Sequence, residues 1–287
     1  MKNNRLRSLL SGNGIVRAPG AYDSWSARLI EKAGFPAIYM TGYGVSASLI
    51  GQPDIGLLTM TEMAAQAARI VAAVDIPVIA DADNGYGGAL NVMRTVREYE
   101  RAGVAAIQLE DQVLPKRCGH MEGKQLVTKA EMVSKLKAAV QARRSDDFLI
   151  IARTDARAVT GFDDAMDRAK AYASAGADII FFEAPQSVEE MKTVAGTLSK
   201  PVMANMVEHG KTPLLTGKEL EALGYKLVIY PNSLLYTTTK AVRSMLDSMK
   251  DADTTQGFGD RMVNFPEFNN MIGLDTIRKM EESFISE

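Results

Sequence analysis

The chain has one cysteine, Cys118, and two histidines, His120 and His209, among 287 residues. A lone cysteine excludes an internal disulfide, fits a reducing cytoplasm, and leaves one thiol to be explained. Positive charge is not in excess: 33 Lys and Arg stand against 35 Asp and Glu, a formal net charge of -2. A nucleic-acid binder usually carries a clear basic surplus. No apolar run approaches the ~18 residues needed to span a bilayer. Residues 1–10 carry Lys2, Arg5 and Arg7 but no apolar centre, so they do not read as a signal peptide. Nucleic acid and membrane are therefore poor partners for this chain, and a small molecule is the expected one.

What is present is an alternation. Short apolar runs at 15–20, 37–42, 77–83, 105–111, 148–156, 178–184, 201–206 and 226–231 are rich in Val, Ile and Phe and are continuous. Continuity is the mark of parallel strands buried on both faces. Amphipathic stretches separate them at 24–33, 60–73, 90–102, 129–143, 162–175, 188–198 and 218–223. Gly34, Gly103, Gly176 and Gly224 stand just past four of these, where a helix ends on a left-handed residue. Eight unbroken strand–helix units predict a (β/α)8 TIM barrel over residues 1–250. An open doubly wound sheet would show a glycine-rich phosphate loop after its first strand, and none follows 15–20. Beyond the eighth strand come a helix over about 234–250, a polar hinge at 251–260 and an apolar terminal helix over about 265–284.

In such a barrel the strand C-termini form the active face. Asp81 and Asp83 end the third run, two apart and so able to face one point. Glu110 and Asp111 end the fourth, Glu183 ends the sixth, and Asp54 lies in the loop after the second. Carboxylates gathered at one mouth repel unless a cation sits among them. With no His or Cys in the group, the expected ion is hard and oxygen-ligated, Mg²⁺ or Mn²⁺. The competing reading is that each acid caps the helix that follows it.

The loop after the fourth strand holds Lys116, Arg117, Cys118, Gly119 and His120. Its cations would lower a thiol pKa and favour proton exchange there; a buried structural cysteine is the alternative. Arg153 places a guanidinium at the mouth, suited to a substrate carboxylate or to a salt bridge with Glu183. Thr41, Gly42, Tyr43 and Gly44 would offer backbone N–H groups to an anionic oxygen. Asn205 and Thr212 could hydrogen-bond a second carboxylate. For a third carboxylate Lys211, Arg157 and Arg17 are candidates, or none is.

The segment Lys116-Arg117-Cys118-Gly119-His120 resembles the K-[KR]-C-G-H signature of the lyase branch of the isocitrate lyase / phosphoenolpyruvate mutase superfamily. The likeness extends along nearly the whole chain, through Asp54, Asp81-x-Asp83, Leu109–Gln112, Ala152–Ala156, Glu183-Ala184, Ala204–Met206 and Lys211–Leu214. In length and in these segments it is similar to the 2,3-dimethylmalate, petal-death and 2-methylisocitrate lyase types. Members that process phosphonates lack the Cys-Gly-His motif.

The resemblance implies that Asp81 holds Mg²⁺ directly while Asp54, Asp83 and Glu110 hold its waters. It implies that Thr41, Gly42, Tyr43 and Arg153 take the 2-hydroxy carboxylate end, and that Pro231-Asn232-Ser233 belongs to the site. Cys118 would be the acid/base, with Lys116, His120 and Glu183 as further catalytic candidates and 116–124 as a gate. Residues 251–287 would swap onto a neighbouring barrel of a homotetramer. The expected reaction is retro-aldol cleavage of a 2-alkylmalate to pyruvate and a short acid. Methylisocitrate cleavage and oxaloacetate decarboxylation or hydrolysis are the alternatives.

Overall fold

The fold was obtained as a computed structural model that describes residues 2–119 and 121–285. Eight parallel strands close into one barrel in chain order, β1 (Val16–Ala21), β2 (Ile38–Met40), β3 (Val78–Asp81), β4 (Ala106–Glu110), β5 (Leu149–Thr154), β6 (Ile179–Phe182), β7 (Val202–Asn205) and β8 (Leu227–Tyr230). Closure runs through β1 and β8, where Val16 lies opposite Leu227 and Pro19 opposite Tyr230. The expected strands are all present; seven are trimmed at both ends, and β1 starts and ends one residue later than expected.

Side-chain alternation along these strands divides the core in two. Tyr39, Ile79, Ala106, Ile151, Phe181, Met203 and Ile229 fill the barrel interior. Their neighbours Met40, Ala80, Ile107, Ala152, Ile180 and Val228 pack outward against the helices. Continuing the inward set by two residues toward the strand C-termini gives Asp81, Gln108, Arg153, Glu183 and Asn205, and two further on β4 gives Glu110. The register of the barrel therefore aims this polar group at its mouth.

Three helices were not expected. Lys2–Ser11 places Leu6 and Leu10 in the cluster that fills the interior, beside the strand-start residues Ala105, Leu149 and Ile179, and so plugs the barrel's floor. Gly42–Ile50 begins where β2 was expected to continue, with Thr41 as its N-cap. Ala156–Val159 is a single turn after β5. The four glycines Gly34, Gly103, Gly176 and Gly224 all take positive φ, between 82° and 104°.

The chain forms two compact units, Met1–Leu235 and Tyr236–Glu287. In the second, the continuation of the helix Ser233–Ala252 is followed by a 3₁₀ turn, Gln256–Arg261, and helices Phe265–Ile272 and Leu274–Ile285. The single terminal helix expected over 265–284 is thus two, because Gly273 takes φ 84° between them. No helix among the described residues is long and apolar enough to cross a membrane.

Candidate active site

A cavity opens at the C-terminal mouth of the barrel. Asp54, Asp81, Glu110, Lys116, Arg153 and Glu183 supply its charge; Tyr39, Phe181, Val207, Ile229 and Pro231 supply its apolar wall. Thr41, Tyr43, Arg117, Cys118, Gly119, Asn205 and Asn232 complete the lining.

The acids are deeply buried: Asp54, Asp81, Asp83 and Glu110 are 8%, 6%, 5% and 1% exposed. Asp81 is held by its own surroundings. Its Oδ1 accepts from the amide of Asp83 at 3.0 Å and from Gln108 Nε2 at 3.3 Å, and Gln108 Oε1 in turn accepts from Tyr39 at 2.7 Å. The strand stops at Asp81, and Asp83 stands at φ 48°, so the pair is not a simple strand alternation. Burial pushes the Asp81 and Glu110 carboxyls upward, Glu110 well above the usual range, and it pushes Asp83 up to about 6. Lys116 acts the other way on all three.

Lys116 is placed differently from its expected role beside the thiol. Its ammonium lies 2.5 Å from Asp54 Oδ1 and 2.7 Å from Asp83 Oδ1, and the side chain is 2% exposed. Burial disfavours its charge, but Asp83, Asp54, Glu110 and Asp81 outweigh burial and hold it well above the ordinary lysine range. Lys116 thus supplies positive charge inside the acid group. No three His, Cys, Asp or Glu side chains among the described residues form a ready-made metal shell.

The donors nonetheless suit a hard cation in kind. They are oxygens, they are buried, and Glu110 Oε1 makes no hydrogen bond among the described residues. Burial raises all three carboxyls even with Lys116 in place, a desolvation penalty that a bound cation would offset.

Arg153 pairs with Asp155, not with Glu183 as one alternative had it. Its Nε and Nη2 donate to the two carboxylate oxygens of Asp155, each at 2.9 Å, with Glu110 Oε2 at 3.6 Å. Burial would raise the Asp155 carboxyl, but Arg153 and its other donors hold it below the usual range. The guanidinium also lies over the Phe181 ring, 5.1 Å from the centroid. Asn205 Nδ2 donates to Glu183 at 3.2 Å, and its Oδ1 is buried without a hydrogen bond among the described residues.

Thr41 caps a helix that begins at this mouth, with Thr41 and Tyr43 in the lining, and a helix N-terminus is a favourable end for an anion. Gly42 is required there: a Cβ would lie 2.7 Å from Asp81 Oδ2. Thr212 is buried but outside the cavity lining. Ser233 donates to Glu208 and lines a separate cavity with Arg17 and Phe35. Arg157 is engaged by Glu190 at 2.8 Å. Neither it, Arg17 nor Lys211 lines the central cavity. His120 lies outside the described residues.

Asp155, Lys124 and Gln112 join the charged residues around this mouth, although nothing in the sequence around them marks Lys124 or Gln112. The pair Arg153/Asp155 could have been found by the same two-residue spacing that drew attention to Asp81 and Asp83.

The phosphoenolpyruvate phosphomutase family matches residues 6–250. The chain belongs to the phosphoenolpyruvate mutase / isocitrate lyase superfamily. Within that superfamily it is 57% identical to a 2,3-dimethylmalate lyase of Eubacterium barkeri, over 98% of this chain and 97% of the relative. It is 46% identical to a 2-methylisocitrate lyase of Aeropyrum pernix, over 96% and 89%. Among solved structures, a 2,3-dimethylmalate lyase superposes with TM-score 0.93 at 38% identity, covering 99% of this chain and 95% of that one. Oxaloacetate acetylhydrolase with 3,3-difluorooxalacetate gives 0.93 at 36%, covering 98% and 96%. A phosphonopyruvate hydrolase complex with oxalate and Mg²⁺ gives 0.90 at 31%, covering 99% of each.

Proposed function

We propose that the chain is a Mg²⁺-dependent carbon–carbon lyase that cleaves a 2-hydroxy dicarboxylate, 2,3-dimethylmalate or a related 2-alkylmalate, to pyruvate and a short carboxylic acid. The observation that carries this reading is the charge inventory of the cavity. Of its cationic side chains, Lys116 is engaged by Asp54 and Asp83, and Arg153 by Asp155. Arg117 Nη1 donates to the Glu122 carbonyl at 3.0 Å. Among the described residues, no further cation lines the wall formed by Phe181, Val207, Ile229 and Pro231. That wall suits the methyl groups of an alkylmalate better than the third carboxylate of methylisocitrate.

Asp81 would hold the metal, with Asp54, Asp83 and Glu110 around it; Mg²⁺ or Mn²⁺ lowers the pKa of a bound hydroxyl and polarises its neighbouring carboxylate. The N–H groups after Thr41, together with Arg153, orient the carboxylate end. Loss of the 2-hydroxyl proton breaks the C2–C3 bond, and Glu183, which accepts from Asn205, is the group assigned to hold that proton. The Cys118 thiol then delivers a proton to the carbon of the departing acid. Gly119 seats the loop against Arg153 and excludes water from that carbanion.

Family kinship also supports a homotetramer in which residues 251–287 pack on a neighbouring subunit. The terminal helices agree with it, leaving Phe265, Phe284 and Ile285 76–81% exposed. The lone thiol supports a cytoplasmic location.

Product analysis tests the function. Incubation with a panel of 2-hydroxy acids should give pyruvate plus propionate from dimethylmalate, at a kcat/KM above that for methylisocitrate. Preferred formation of succinate, or oxalate from oxaloacetate, would reassign the substrate.

A further inference from the structure

The loop that carries Cys118 is pinned at its base and again at its tip. At the base Gln112 bridges Leu126, and the amides of Val113 and Val127 donate to Gln125 O and Asp111 O, each at 2.9 Å. At the tip the two residues flanking Cys118 are held separately. Gln112 accepts from the Arg117 amide and donates to the Arg117 carbonyl, both at 2.9 Å. Lys124 Nζ donates to the Gly119 carbonyl.

Both holding side chains end on one carboxylate. Gln112 Nε2 lies 3.2 Å from Asp155 Oδ2, and Lys124 Nζ lies 3.4 Å from Asp155 Oδ1. The same two oxygens receive the Arg153 fork. Asp155 is fully buried. It precedes the turn Ala156–Val159 but makes no side-chain cap to it, so its carboxylate is not a helix device. Its own amide donates to Asp111 Oδ1 at 2.9 Å, which fixes its backbone. Gly119 completes the arrangement: a Cβ there would run into Arg153 Nη2 and lie 2.7 Å from Glu183 Oε1.

We propose that Asp155 is a positioning residue that sets the Cys118 loop in register with the Arg153 guanidinium, acting through Lys124 and Gln112. The proposal rests on the lyase reading for what the register serves, namely a thiol placed against a substrate whose carboxylate Arg153 orients. The register itself is a property of the fold and can be measured without turnover.

Hydrogen exchange followed by mass spectrometry on the full chain reads the loop amides, with Met121, whose N–H is bonded to Cys118 O at 2.8 Å, at the tip. Lys124→Met and Asp155→Asn should each speed exchange across 117–123 by roughly 10- to 100-fold, the change expected when a charge-assisted hydrogen bond that closes a segment is lost. Alkylation of Cys118 should rise in parallel. Exchange in β4 and β5 should stay at the parent rate, which separates a loosened loop from a damaged barrel. Because both substitutions cut the Lys124–Asp155 contact, the double variant should exchange more slowly than the product of the two single effects predicts, and Lys124→Arg should recover most of the protection. Parent-like exchange in Lys124→Met, or additive effects in the double variant, would overturn the proposal. If Asp155→Asn fails to fold, Lys124→Met with Gln112→Leu decides it: both should loosen the tip and leave the Val113 and Val127 amides protected. A chain that cleaves no 2-hydroxy acid yet shows this pattern removes the lyase reading and keeps the positioning role. An active lyase whose loop ignores these substitutions does the reverse.

Discussion

Replacing Lys116 with methionine keeps the length of the side chain and removes the charge that holds Asp54 and Asp83 together. The ammonium is 2% exposed and lies 2.5 and 2.7 Å from two carboxylates that are themselves nearly buried. Removing one partner of a buried pair costs about 3–5 kcal/mol, because the charge left behind has no water to turn to. At about 2–4 °C per kcal/mol for a chain near this size, the metal-free melting temperature should fall by roughly 6–20 °C.

The loss should depend on pH in a stated direction. Burial already pushes Asp83 up to about 6 against the pull of Lys116, and without the lysine it rises further. A carboxyl whose folded pKa exceeds its unfolded value binds protons more readily when folded, so acid favours the fold. The penalty is complete above the folded pKa and fades as pH falls toward the unfolded value near 4. Scanning calorimetry of parent and Lys116→Met in chelator at pH 8 and pH 5 should therefore show the wider gap at pH 8. Saturating Mg²⁺ should raise the variant's melting temperature more than the parent's, because the ion restores charge that the substitution removed. Equal melting temperatures in chelator at pH 8, or a wider gap at pH 5, would refute the assignment of Lys116 as the internal counter-charge.

Other perturbations reach other parts of the site. Cys118→Ser should lower kcat by roughly 10²–10⁴-fold with KM nearly unchanged, since a hydroxyl is a poorer acid than a thiol; steady-state kinetics decide it, and near-normal kcat makes the thiol a bystander. Excess chelator should abolish turnover and Mg²⁺ or Mn²⁺ should restore it; full turnover in chelator would sink the metal assignment. Gly119→Ala should cost kcat/KM roughly 5- to 100-fold, the effect of about 1–3 kcal/mol of overpacking against Arg153 and Glu183, and parent-like kinetics would show that the loop does not close on that guanidinium. Light scattering should give a tetramer at micromolar concentration, and a monomer would contradict the swapped terminal helices.

The barrel was legible because its strands are buried on both faces, which makes each an apolar run, and because glycine ends several helices. The helix Lys2–Ser11 was not, since its apolar residues are few and what makes them structural is the barrel floor they plug. Gly42–Ile50 hid behind two glycines that weaken any helical signal; Gly42 is there because Asp81 leaves no room for a Cβ. The break at Gly273 was masked by apolar spacing that continues across it, while only the backbone records the left-handed residue between the two terminal helices.

The candidate site divides along a similar line. Which groups face the mouth follows from strand parity, so Asp81, Glu110, Arg153, Glu183 and Asn205 could be named from the sequence. How their charges pair does not follow from parity. Lys116 adjoins the thiol in sequence, and proximity along the chain suggested that it tunes Cys118. In the fold, however, it reaches Asp54 from one loop and Asp83 from another. A buried ammonium is stabilised by whichever carboxylates burial has left least solvated, and that choice is made between loops far apart in sequence. Arg153 shows the opposite case. Its partner Asp155 is two residues away, on the same side of a strand end, and planar bidentate geometry favours it over a more distant acid. Short-range pairing is thus readable where a strand fixes direction, and long-range pairing is readable only once the loops are in place.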